Sequence, residues 1–187
     1  MKCKSKFELS IFHLNIRSLN SKQRSFCQFI NLLDVDFDII VLSEIWTYNL
    51  DYYQNILDGY TLYTDLPSNS NIGGLGMFIK KTLNCKLRND LSLSARTDVK
   101  VENLWFEIEK NHKKFIVGGI YRHPNQSIQS FTDLLELNLI KINKGKTPCF
   151  LTGDFNIDFL KAESNKNIMD YLNNLLLYNF FVSCQLG

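Results

Sequence analysis

Three short apolar runs, each giving way abruptly to a polar residue, constrain this chain more than any other feature. The stretch from Phe7 to Asn15 sets Phe7, Leu9 and Ile11 on one parity and Phe12 and Leu14 on the other. A strand with apolar side chains on both parities is one covered on both faces. Asp38 to Ser43 (DIIVLS) reads as a second buried strand and delivers Glu44 at its end. Cys149 to Thr152 reads as a third, opening onto Gly153 and Asp154. Strands of this kind need a layer on each side. The 187 residues can supply them, since a domain of this size buries roughly 70% of the surface its unfolded chain exposes.

The remaining pattern alternates strands with helices. A helix is expected from about Lys22 to Leu33, with Phe26, Phe29, Ile30 and Leu33 at helical spacing and Ser21 as its cap. A second runs from Ser127 to Ile142, with Ser130 and Asp133 as a capping box. A third covers about Asn167 to Leu177 and buries Ile168, Leu172, Leu175 and Leu176. Tyr60 to Tyr63 and Gly74 to Ile79 read as strands. Leu104 to Glu109 and Phe115 to Tyr121 read as a hairpin across the basic turn KNHKK. Hairpins argue against a purely parallel doubly wound sheet, and widely spaced helices argue against an all-β barrel. Two packed sheets flanked by helices remain. The richest turn segment, Pro67 to Gly74 (PSNSNIGG), is one surface loop, and no repeat or linker divides residues 1–187.

Composition excludes more than it selects. A net charge of +2 and a pI near 8.2 are too mild to point to nucleic acid by themselves, although a nuclease can gather its positive charge on one face. Five cysteines occur without C-x-x-C spacing, and none of the three histidines stands near a cysteine pair. A structural zinc site is therefore not expected. The start, MKCKSKFELS, has no apolar signal core, and no run is long enough to span a membrane. These features lead to the expectation of a soluble intracellular protein with free thiols and no membrane partner. Gly73-Gly74-x-Gly76 lacks the Lys-Ser or Lys-Thr of a phosphate-binding loop and reads as a turn entering a strand. No G-x-S-x-G motif supports a serine hydrolase.

Asn15, Glu44 and Asp154 stand where the apolar runs end. Buried strands hold their backbones rigid, which is a way to converge side chains from distant parts of a chain. A carboxylate and an amide oxygen are hard ligands that suit magnesium. A second carboxylate nearby can hold or deprotonate a water. Taken singly, an acid at a strand end is more often a turn former or a helix cap, and spacing alone does not demonstrate convergence.

Four motifs occur in order: LNIRSL (Leu14 to Leu19), VLSEIW (Val41 to Trp46), GIYRHP (Gly119 to Pro124) and LTGDFNID (Leu151 to Asp158). Together they resemble the successive motifs of the endonuclease/exonuclease/phosphatase superfamily. Their wording is most similar to the apurinic-like endonuclease domain of LINE-type non-LTR retrotransposons. The resemblance implies a deoxyribonuclease I-like, four-layer α-β-β-α sandwich. It implies a magnesium-dependent endonuclease, with manganese as a substitute, that nicks DNA and leaves a 3′-hydroxyl to prime reverse transcription. Glu44 would be the principal metal ligand, with Asn15 beside it. Asp154 would orient and deprotonate the attacking water, Asn156 would fix its geometry, and Tyr121 would lie against the scissile phosphate. Arg17, Arg122 and His123 would be further contacts to substrate, with a solvated loop histidine as the alternative for His123. DNA is the implied partner, the nucleus the implied site of action, and a reverse transcriptase region the expected neighbour in a parent polyprotein.

Two departures stand out. Some relatives carry an acid two positions after the asparagine, where Arg17 stands here. Arg17 either contacts DNA phosphate or is a solvated loop residue. The family's Ser-Asp-His motif near the end of the domain has no counterpart, because none of His13, His112 and His123 follows Ser-Asp. The resemblance thus implies a sandwich lacking its last C-terminal strands and an impaired nuclease. Two other readings stay open: a same-fold phosphatase or phosphodiesterase acting on a non-DNA substrate, and a non-catalytic DNA-binding remnant.

Overall fold

The computed structural model describes residues 9–47, 51–67, 72–93 and 100–182. In chain order the elements are β1 (Ile11–Asn15), α1 (Leu19–Leu32), β2 (Ile39–Ser43), β3 (Tyr60–Asp65), β4 (Leu75–Lys80), β5 (Asn84–Leu87), β6 (Val101–Lys110), β7 (Lys113–Arg122), α2 (Ile128–Gly145), β8 (Cys149–Asp154) and α3 (Lys166–Leu177). They form two four-stranded sheets of order β1-β2-β4-β3 and β5-β6-β7-β8. Both are mixed: β1–β2 and β7–β8 are parallel, and the other pairs are antiparallel.

Period-2 alternation sorts the side chains into layers. Ile39 and Val41 of β2 meet Val117 and Tyr121 of β7 in a core between the sheets. Ile40 and Leu42 point the other way and pack under Phe26 and Ile30 of α1. Ile116 and Ile120 of β7 pack with Trp105 beneath α2 and α3, where Phe131, Leu135, Leu139, Tyr171 and Leu175 close the layer. The outcome is an α-β-β-α sandwich. Each large aliphatic buried in these layers contributes roughly 1.5–3 kcal/mol. The β6–β7 hairpin turns on Asn111 and His112, both with positive φ (51° and 60°), which matches the twist of the flanking strands. At the opposite end from the motif residues, Lys110 Nζ reaches the buried Asp38 carboxylate at 2.6 Å and ties one sheet to the other.

Several boundaries differ from the sequence expectation. α1 begins three residues early, because Ser18 rather than Ser21 is its cap and accepts from the Ser21 N–H. Likewise Ser127 caps α2 by accepting from the Ser130 N–H, while Asp133 takes a bond from Gln129 Nε2 instead of closing a capping box. In α3, Leu176 is exposed and Tyr171 buried in its place. The strand β5 was not anticipated. Residues 7 and 8 of the first expected strand, and 68–71 of the Pro67–Gly74 loop, lie outside the described residues. β1 and β8 were expected to be buried, yet both are partly open, with Phe150 43% exposed. The reason is position. Among the described residues each is an edge strand, and the two edges lie on the same side of the sandwich.

Candidate active site

Parallel pairing makes β1 and β2 end together, with Asn15 opposite Ser43, and β7 and β8 end together, with Tyr121 opposite Asp154. All four motifs therefore leave the sandwich at one end. The chain turns sharply there. Arg17, Ser18, Glu44, Trp46 and Asn156 all take positive φ, which disfavours an L side chain by roughly 1–2 kcal/mol per residue. A ladder of backbone bonds holds them: Ser18 N to Glu44 O (2.8 Å), Leu19 N to Ile45 O (2.9 Å) and Trp46 N to Gly73 O (3.0 Å). Such concentrated strain at one strand end is a mark of a site whose side-chain aim is over-determined.

Asn15 is the hub. Its Nδ2 donates to Glu44 Oε1 and to Asp154 Oδ2, both at 2.8 Å, so one amide bridges carboxylates from the two sheets. Its Oδ1 is buried and has no hydrogen-bond partner among the described residues. Asp154 Oδ1 accepts from the Asn156 backbone N–H at 3.0 Å, while the Asn156 side chain donates to Arg122 O at 2.7 Å. Asn156 thus orients Asp154 through its main chain. Gly153 makes this approach possible: at φ +135° a Cβ would lie 1.9 Å from Ile120 O. Tyr121 is 3% exposed. Burial first, then the charges of Glu44, Asp154 and Glu102 and a hydrogen bond to Glu44, push its phenol up to about 12. It remains a neutral hydrogen-bond donor. One turn of the strand away, His13 Nε2 lies 3.1 Å from Ser43 Oγ, and burial pushes its imidazole below the usual value, partly offset by Asp154.

These groups fit a hard divalent cation. Among the described residues no three carboxylate, imidazole or thiol groups come together as a metal cluster. What the chain offers is the Glu44 carboxylate and the unpartnered Asn15 oxygen. Magnesium, which keeps several waters and takes one or two protein carboxylates, is suited to so sparse a set.

The remaining residues of interest are placed as follows. Arg17 is exposed at the turn after β1. Arg122 points into the fold. It is 1% exposed, and its guanidinium donates inward to the carbonyls of Phe155 (2.6 Å), His123, Gln126 and Asn156. These bonds tie the turn after β7 to the segment that carries Asn156, so Arg122 anchors that segment. His123 lies beside Tyr121, with its ring bonded to Glu102. Glu102 escaped the sequence reading. Counting back along the hairpin from its turn pairs it with Tyr121, which is the signal that would have found it. A groove of about 670 Å3 lies elsewhere, between α2, β8 and α3. It is apolar and holds none of these groups.

A profile of the Endonuclease/Exonuclease/phosphatase family matches residues 12–173. The chain belongs to that family. No curated protein matches it in sequence. Solved structures do match in fold. The endonuclease domain of TRAS1, a telomere-specific non-LTR retrotransposon, superposes with a TM-score of 0.62 at 11% identity, over 91% of this chain and 72% of that one. D. rerio TDP2 humanized by 14 mutations gives 0.62 at 15%, over 87% and 66%. A mannosyl-6-phosphatase of Bacteroides thetaiotaomicron gives 0.62 at 16%, over 88% and 70%. At these identities the likeness is one of fold, and the two mixed sheets with flanking helices are the deoxyribonuclease I-like sandwich of the Endonuclease/Exonuclease/phosphatase family. The chain spans about two thirds of the length of these structures. Among the described residues no helix is long and apolar enough to cross a membrane.

Proposed function

We propose that the chain is a magnesium-dependent phosphodiesterase that nicks DNA, the endonuclease part of a non-LTR retrotransposon. The observation that carries this reading is the Asn15 amide, which holds Glu44 and Asp154 at 2.8 Å each while leaving its own oxygen unpartnered. Glu44 and Asn15 would hold the magnesium, which supplies a counter-charge for phosphate oxygens. Asp154, aimed by the Asn156 N–H, accepts the proton of the attacking water. Tyr121, whose phenolic proton is held by Glu44 in the free chain, would turn it to a phosphate oxygen, where negative charge develops, once Glu44 binds the metal. Arg17 and His123 lie at this end of the sandwich as contacts to the rest of the strand. DNA is favoured as substrate by the four motifs, and among fold relatives by a retrotransposon endonuclease and a TDP2 complexed with a single-strand DNA product. A free 3′-hydroxyl from such a nick would serve a reverse transcriptase in the nucleus.

A phosphatase of the same fold is the reading to set against it, because the mannosyl-6-phosphatase superposes equally well. The test is supercoiled plasmid with magnesium, manganese or chelator, run beside a sugar phosphate and a nucleotide. The expected result is metal-dependent nicking with 3′-hydroxyl ends and little phosphate release. Turnover of the sugar phosphate without nicking would overturn the DNA assignment.

A further inference from the structure

Among the described residues, four phenylalanine or tyrosine side chains are exposed: Phe29, Tyr52, Phe150 and Phe181. Phe150 and Phe181 belong to the apolar groove beside α3, and Phe29 packs on Phe12 along α1. Tyr52 is the one of the four that stands at the end of the sandwich where Asn15, Glu44 and Asp154 meet. No step above uses it.

The neighbouring residue fixes where Tyr52 sits. Both belong to a short helical turn, Asp51–Tyr53. Tyr53 is buried and packs with Ile16, Leu19 and Ile45, which follow directly on Asn15 and Glu44 or open α1. Its hydroxyl donates to Asn20 Oδ1 at 2.8 Å, in the first turn of α1. Ile56 O in turn accepts from Cys27 Sγ, about two turns further down that helix. The segment therefore runs away from the site, with Tyr52 at its near end. Tyr52 meets Tyr53 edge-on, with centroids 5.1 Å apart and planes at 87°. A buried, hydrogen-bonded ring thus props an open one. At 66% exposure Tyr52 adds little to the core, and its ring is held ready where solvent reaches it.

The surroundings say what such a ring would meet. Asn20, on which Tyr53 is anchored, lies five residues beyond Asn15, at most about 17 Å along the chain. That is on the order of five phosphates of one strand. Between the two asparagines Arg17 is exposed, and α1 opens with no acidic residue in its first turn. Asp51, exposed beside Tyr52, repels phosphate. The strand's backbone is therefore drawn to the Arg17 side, and a base, not a phosphate, faces Tyr52. A cation for the backbone beside an aromatic ring for the bases is how unpaired strands are bound without regard to sequence.

We propose that Tyr52 is a stacking platform for an unpaired base of the bound strand, a few nucleotides from the scissile phosphate. In an intact duplex that base is already stacked and must be withdrawn at a cost. The favoured substrate is then DNA opened near the nick. This rests on the DNA-nicking reading above and adds a base contact to it.

The test uses the 187-residue chain in chelator, so that cleavage does not intrude, and a DNA duplex with a short unpaired tract. 2-Aminopurine, whose fluorescence falls on stacking, replaces the bases of that tract one at a time. Affinity for this DNA and for its fully paired form is read by fluorescence anisotropy. The expected result is quenching at one position of the tract and tighter binding of the open DNA. Tyr52→Ser should abolish the quenching and weaken binding of open DNA about tenfold, within the range for one stacked base. Tyr52→Phe, which keeps the ring, should retain both. With magnesium, hydrolysis of bis(p-nitrophenyl) phosphate, which has no base, should be the same in all three chains. Wild-type quenching and affinity in Tyr52→Ser, when the wild-type chain nicks plasmid, overturns the platform and leaves the nicking reading intact. A loss in Tyr52→Phe equal to that in Tyr52→Ser assigns the effect to the hydroxyl and overturns stacking. A wild-type chain that binds neither DNA and nicks no plasmid overturns the DNA reading, and the platform with it.

Discussion

Replacing Asn15 by Asp preserves the shape of the hub and reverses its polarity. The wild-type amide donates two hydrogen bonds of 2.8 Å to carboxylates on different sheets. In Asn15→Asp an oxygen faces both. Hydrogen bonds to charged groups contribute roughly 1.5–3 kcal/mol each, so the loss before any relaxation is about 3–6 kcal/mol. The folded chain can limit this by binding a proton. Protonating a carboxyl of ordinary pKa at pH 7 costs about 4 kcal/mol, at 1.36 kcal/mol per unit. The expected destabilisation at pH 7 is therefore about 3–4 kcal/mol, which lowers Tm by roughly 6–16 °C in a domain of this size. At pH 5 the proton is cheaper, the limit falls to about 1.5 kcal/mol, and the gap to wild type should narrow. Magnesium gives a second handle, since three carboxylates attract a divalent cation more strongly than two and an amide. Millimolar magnesium should restore more of the Tm in the variant than it adds to wild type. Thermal unfolding followed by circular dichroism at both pH values, with magnesium or chelator, reads all of this. Equal Tm values at pH 7 without metal would refute the cross-sheet bridge.

Three further outcomes are expected. Gly153→Ala forces a Cβ to 1.9 Å from Ile120 O at a φ of +135°. The strand end must shift by about 1 Å, which commonly costs on the order of 100-fold in rate when it moves a catalytic group; nicking that persists at the wild-type rate would show that Asp154 is not held from Gly153. Glu44→Gln should raise the magnesium concentration needed for half-maximal nicking, whereas Asp154→Asn should lower turnover at saturating magnesium by roughly 100-fold or more; a metal titration of both variants separates the roles, and full activity in both would sink them. For His13, the folded chain resists protonation that the unfolded chain accepts near the ordinary value of 6.5. Protonation therefore favours unfolding, and this contribution is present above pH 6.5 and lost as the pH falls through the folded-state value. The Tm of His13→Gln should fall less than wild type between pH 7 and pH 5; parallel curves would show that His13 is not the group responsible.

The layered architecture was legible from periodicity. A run such as Ile39 to Leu42 can bury both parities only between two layers, and the spacing of Phe26 with Ile30, or of Phe131 with Leu135, leaves one helical face to cover each sheet. Caps were harder to read. Ser18 competes with Ser21, and Ser127 with Ser130, within four residues of sequence, so the choice depends on where the strand before each helix stops. β5 was missed because Asn84–Leu87 is only four residues long and mostly exposed, so its alternation is too short to stand out. The half-exposure of β1 and β8 was also out of reach, since apolar content says what a strand can bury and not what lies beside it.

The same division holds at the site. Sequence by itself determined which residues stand at strand ends and which motifs carry Asn15, Glu44, Tyr121 and Asp154, because those are local properties of a few contiguous positions. Only the tertiary structure decided that β1 lies against β8, so that one amide spans residues 139 positions apart. It aimed Arg122 into the fold, where its guanidinium donates to four backbone carbonyls. It also gave His123 a carboxylate partner from the opposite strand of its hairpin. The physical reason is common to all three: where a long polar side chain points is set by the unpaired groups within its reach, and those come from chain segments that only folding brings together.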